Sequence, residues 1–210
     1  MAQNIDGWST DPVNAANVAA AEFQSGAFAL PTGSADSALV GTFAPGAYTA
    51  LVTGLGTDTG IGLVEVYDLD QLLLFSTQKL VNVSTRGTVG TNANVLIGGI
   101  SIDGAAPKRL LIRAAGPALA PMGVPGSLAA PHLLLYNNAQ ALIRENFSWQ
   151  TGNDPGLVAA AESQTGAFAF MNGSADSAIL IVLPPGNYTA EVSGVGGTTG
   201  TALVEVYEIP

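Results

Sequence analysis

Few residues in this chain could do chemistry, and most are cations and carboxylates beside glycine-rich turns. Arg86 in STRG and Arg113 in IRAAGP are two of only six basic residues. A pair of guanidiniums at such turns would suit a carboxylate or sulfate of a glycan through bidentate hydrogen bonds. Alternatively, each pairs with an aspartate or glutamate of this acidic chain and fixes a loop. Asp36 and Asp176 stand in two copies of GSADSA. Their oxygens would suit calcium, a hard ion that takes carboxylates and carbonyls. The motif lacks the dense Asp/Asn spacing of a dedicated calcium loop, and an Asx turn opening a strand explains it too. Calcium is the one cofactor left as a candidate.

His132 is the only histidine and there is no cysteine, so an ordinary zinc site, a disulfide framework and a thiolate nucleophile are excluded. A Ser/His/Asp triad would rest on His132 alone, with no strained G-x-S-x-G turn in view. Glu65 and Asp68 fall on opposite faces of a strand pattern, so they do not make a carboxylate pair. GVGGTTG lacks the lysine and following helix of a phosphate loop and reads as a hairpin turn. No catalytic residue is assigned, and the chain is read as not an enzyme. Trp8 and Trp149 take matching places in two similar segments. Exposed, they would be platforms for sugar rings; buried, they would plug one end of a sandwich.

Composition narrows the partners. Charged residues are 10% of the chain, against roughly 25% in ordinary globular proteins. The net charge of −10 repels nucleic acid and anionic membrane surfaces, and no basic cluster offsets it. The runs QLLLF and SAILIVLPP are far shorter than the ~20 residues that span a bilayer. MAQNIDGWST has no basic segment followed by an apolar one, so no signal peptide is read there. The absence of cysteine does not fix the compartment, while low charge and abundant Gly, Ser and Thr favour an extracellular or cell-surface setting.

The elements that must position these residues are written twice. Shifting the sequence by 140 residues aligns Gly26–Asp70 with Gly166–Pro210 without a gap, and 25 of the 45 positions are identical. Upstream, DPVNAANVAAAEFQ from Asp11 corresponds to DPGLVAAAESQ from Asp154. This is a domain-sized period rather than a solenoid repeat. Residues 1–76 read as one A half, 77–142 as a B half and 143–210 as a second A half, with 77–210 making one full unit. Each A half opens with a capping aspartate, a proline and an alanine-rich run ended by Gly26 or Gly166, the pattern of a short helix. That helix is read as a crossover over one end of a sandwich. Strand patterns follow: DSALVGTF turns through APG into AYTALVTG, and IGLVEVYDLD comes next, with the same pattern in the second copy. KLVNVST, NVLIGGISIDG, KRLLIRAAG and HLLLYNNAQALI give the B half its strands. The fold class is all-β: antiparallel β-sandwich or jelly-roll modules with short crossover helices.

PHLLLYNNAQALIRENFSW, PPGNYTAEVSG and LVEVYE resemble the pre-peptidase C-terminal type of secreted bacterial jelly-roll module. STRGTVGTNANVLIGGISIDGAAPKRLLIRAAGPAL through GTALVEVYEIP is similar to a tandem module of very large secreted or surface proteins of environmental bacteria. The resemblance implies an accessory or structural role outside the cell. Related modules often carry Asn-Asp before the tryptophan; here Asn146 is followed by Phe147, which weakens a calcium site at that turn.

The expected function is therefore a repeat segment of a surface stalk, adhesin or filament, with copies of itself as partner. A carbohydrate-binding accessory module is the alternative, with a glycan as partner. If an A half needs a B half to complete its sheets, the first A half must share one or find strands elsewhere. An unpaired strand edge is a template for β-augmentation. The apolar run QLLLFSTQKLVNVS, with Leu72, Leu73, Leu74, Phe75, Leu80, Val81 and Val83, is the candidate shared or donated strand.

Overall fold

The computed structural model describes residues 7–70, 79–152 and 154–210. They fall into two compact units, Met1–Leu80 and Val81–Pro210.

The second unit is an all-β sandwich of two antiparallel four-stranded sheets. Its strands are β1 (Asn82–Val89), β2 (Leu96–Ile102), β3 (Lys108–Ala115), β4 (Pro131–Asn137), β5 (Leu142–Asn146), β6 (Ser177–Leu183), β7 (Gly186–Gly194) and β8 (Gly200–Glu208). One sheet runs β1-β8-β3-β6 and the other β2-β7-β4-β5. Alternation explains the layering: in PHLLLYN, Leu133 and Leu135 point the same way and are fully buried. They meet Ile112, Ile179, Val192 and Val204 in a core drawn from both sheets. HLLLYNNAQALI, expected as one run, is the hairpin β4–β5, turning where Gln140 takes a positive φ.

The pairing pattern decides the architecture. β6 pairs with β3, β7 with β2 and β4, and β8 with β1 and β3. Every partner of these three strands lies between residues 82 and 137, and none of the three pairs with another. The expected hairpins are accordingly arches. PPG at 184–186 and GVGGTTG at 194–200 each join strands of different sheets. At the second arch Gly194 is obligatory, since a Cβ there would lie 1.8 Å from the Thr198 carbonyl oxygen.

Helix α2 spans Pro155–Thr165; Asp154 accepts from the Gly156 amide, and Gly166 ends the helix at φ 73°. It is a layer, not an end crossover. Its small side chains let it lie close against the outer face of the β1-β8-β3-β6 sheet. There Val158 and Ala161 join Leu111, Ala115, Trp149, Phe170 and Tyr207 in a second buried cluster.

The first unit repeats the local part of this design. Helix α1 spans Pro12–Ser25, capped by Asp11 at the amides of Val13 (2.8 Å) and Asn14 (3.3 Å) and closed by Gly26 at φ 73°. Trp8 is buried; its amide donates to the Asp36 carbonyl at 2.8 Å and its indole to the Pro31 carbonyl at 3.1 Å. Trp149 does the same, to Asp176 at 2.7 Å and Met171 at 3.3 Å. The strands expected in DSALVGTF, AYTALVTG and IGLVEVYDLD are absent: among the described residues of this unit none is in a β-strand. The reason is non-local. Helix caps and the tryptophan loop need only neighbours in sequence, whereas the corresponding strands of the second unit pair only with strands drawn from residues 82–137.

Candidate interaction surface

Arg113 lies on β3 opposite Glu205 of β8, on the sheet face covered by α2. It is wholly buried. Its Nε and Nη2 donate to Glu205 Oε2, the former at 3.0 Å, and its Nη1 donates to Glu162 Oε1 at 2.9 Å and to the Phe168 carbonyl. The guanidinium carbon sits 4.3 Å from the ring centres of both Phe168 and Phe170, against two rings that meet edge to face. Tyr207 donates its hydroxyl to Glu205 Oε1 at 2.7 Å.

One cation faces two carboxylates, so this pocket carries excess negative charge. Burial pushes the Glu162 carboxyl above its usual range, and the Arg113 attraction only partly offsets this. Burial likewise raises the Tyr207 hydroxyl, reinforced by its hydrogen bond to Glu205, which keeps the phenol a donor at neutral pH. The cation belongs to the B half and every partner to the second A half. Chemically the network is a lock between halves, closed to solvent ligands. Asp176 makes a second lock: its Oδ1 accepts from the amides of Gly116 (2.8 Å) and Ala118 (3.2 Å), capping the short helix Pro117–Met122 of the B half.

The first unit keeps two local hydrogen bonds of the Arg113 lock's A side. Glu22 accepts from the Leu30 amide at 3.0 Å, as Glu162 accepts from Phe170. Glu65 accepts from the Tyr67 hydroxyl at 3.0 Å, matching Glu205 and Tyr207. Neither Glu22 nor Glu65 is in an ion pair among the described residues. Apolar positions follow suit. Val52 is 64% exposed where Val192 is 0%, Phe43 52% where Leu183 is 2%, and Val64 43% where Val204 is 2%. What the second copy buries against the B half, the first displays.

The residues singled out by sequence separate accordingly. Arg86 and Arg113 do not share a turn: Arg86 is exposed on β1 opposite Leu203, with β8 between it and β3. Arg113 cannot bind a glycan because it is buried among its own carboxylates. Trp8 and Trp149, at 5% and 4% exposure, offer no platform for a sugar ring. Asp36 is exposed, while Asp176 is buried with Oδ2 unpaired; among the described residues no group of three or more His, Cys, Asp or Glu side chains is set to hold a metal ion. Within the candidate strand, Leu72, Leu73, Leu74 and Phe75 lie outside the described residues. Leu80 and Val81 are exposed, and Val83 belongs to edge strand β1, paired with Val206 of its own unit rather than donated. His132 opens β4, 2.9 Å from Glu145 and stacked on Phe147. Glu162, Glu205 and Tyr207 were missed. Their signal was recurrence, since glutamate and tyrosine return at the same places in both copies of a chain poor in charge.

No family model and no curated protein matches this sequence. Among solved structures, it is similar to the pre-peptidase C-terminal domain of a collagenase from Bacillus anthracis. Identity there is 13%, over 60% of this chain and 89% of that one, with a TM-score of 0.36. Among the described residues no helix is long and apolar enough to cross a membrane.

Proposed function

We propose that this chain is a non-catalytic structural and interaction protein of the extracellular space, a repeat segment of a stalk, adhesin or filament whose modules join by strand complementation. One observation carries the reading: β6, β7 and β8, the strands that follow α2 in the second A half, pair only with B-half strands, and the matching residues of the first A half form none. An A half is thus an incomplete folding unit that must find its strands in a neighbour. The exposed apolar positions of residues 39–67 supply the driving force, since each fully buried large side chain contributes roughly 1.5–3 kcal/mol. A contact between unlike surfaces propagates into rings or open filaments rather than closing as a symmetric dimer. Low charge with abundant Gly, Ser and Thr suits a secreted setting, and the net charge of −10 disfavours nucleic acid or anionic membranes as partners.

Light scattering over a wide concentration range, with negative-stain electron microscopy, tests this. Concentration-dependent oligomers or filaments are expected. A strict monomer at every concentration would contradict it.

A further inference from the structure

We infer that residues 26–70 are the receiving face for a second B half, a further copy of the strands spanned by residues 82–137, recognised through an arginine in the place of Arg113. This rests on the strand-complementation reading and adds the identity of the complement. Its warrant is the second copy, where that occupant is seen seated. Residues 177–208 are identical or similar to residues 37–68 at most positions, and they bury Ile179, Leu183, Val192 and Val204 against β2, β3 and β4. Their counterparts Leu39, Phe43, Val52 and Val64 are exposed.

Charge selects the partner further. Glu162 and Glu205 are tolerated in the interior because Arg113 enters between them. Glu22 and Glu65 retain the same local hydrogen bonds without a cation. An apolar surface covering them without an arginine would bury two unpaired carboxylates, which is strongly unfavourable. Asp36 adds a third requirement, two backbone amides of the kind Gly116 and Ala118 offer Asp176. Generic hydrophobic partners fail on the first count, and basic partners without the strand pattern fail on the last.

Topology permits the chain's own B half to serve as a probe. In the second unit the end of β8 lies beside the start of β1, Tyr207 opposite Asn82. A first copy seated in place of the second would end beside the start of the same β1.

The test is hydrogen exchange with mass spectrometry on the full chain extended ahead of Ala2 by an added copy of residues 79–142. Peptides from 177–208 serve as internal reference. Amides of 36–70 are expected to gain roughly ten-fold or more protection, reaching the level of 177–208. Replacing the added copy's arginine at the Arg113 place by methionine is expected to abolish most of that gain. Unchanged exchange of 36–70, with the reference protected, overturns the inference, and a gain indifferent to the arginine overturns its charge component. Should the extended chain lose protection at the reference, the variant Ala190→Asp/Val192→Asp replaces it. There protection is expected to move from 177–208 to 36–70, and loss in both overturns the inference. Filaments of the unextended chain with no gain on extension would leave the assembly reading standing without this one. A gain on extension with a strictly monomeric parent chain would do the reverse.

Discussion

Replacing Arg113 by methionine removes the one cation from a closed pocket and leaves Glu162 and Glu205 facing each other, with side chains 3% and 4% exposed. Breaking a buried ion pair from one side costs about 3–5 kcal/mol, because the abandoned charges stay desolvated. Against a total stability of about 5–15 kcal/mol, that is a large fraction. For a unit of this size it corresponds to a fall in Tm of roughly 10–20 °C. Methionine fills much of the volume that the arginine side chain takes beside Phe168 and Phe170, so a cavity contributes little. Electrostatics also dictates the pH dependence. Burial already holds the Glu162 carboxyl above its unfolded value, and losing the guanidinium removes what offsets this, so the folded state loses stability as pH rises through that raised value. The penalty of Arg113→Met should therefore shrink when urea unfolding, followed by circular dichroism, is repeated from about pH 8 down to about pH 5. A penalty under about 1 kcal/mol, or one independent of pH, would refute the lock and reduce Arg113 to a tolerated passenger.

Val192→Ala should cost about 1.5–3 kcal/mol in urea unfolding, and Val52→Ala at the matching exposed place under about 0.5 kcal/mol. Asp154→Ala should lower stability by roughly 0.5–2 kcal/mol through loss of the α2 cap, read as a lower urea midpoint. Tyr207→Phe should flatten the alkaline limb of stability. In the parent chain the raised phenol favours the unfolded state once pH passes about 10, where free tyrosine ionises, and phenylalanine lacks that titration. Gly194→Ala should cost about 1–3 kcal/mol or more by forcing the arch open against the Thr198 carbonyl, seen as a drop in Tm.

Local chemistry was legible in the sequence. Asp-Pro caps and Gly26 and Gly166 as helix stops stand where their residues demand, and β1 to β4 overlap the strand runs that the sequence marks. Partner choice was not, because it depends on residues far apart. GVGGTTG reads locally as a hairpin turn, and only the pairing of β7 with β2 and β4 makes it an arch. KRLLIRAA hid the role of Arg113, since both faces of β3 are covered and alternation loses its contrast. Alanine-rich α2 reads from its own sequence as an end crossover. Small side chains are what let it pack closely on Leu111 and Ala115.

The central claim is that an A half builds its strands only against a B half. Hydrogen exchange of the unmodified chain at low concentration tests it most directly, by comparing amides of 36–70 with those of 177–208. Fast exchange in the first segment beside strong protection in the second is the expected result. Equal protection of both segments in a monomeric chain would contradict the account, since one B half would then be holding two A halves at once.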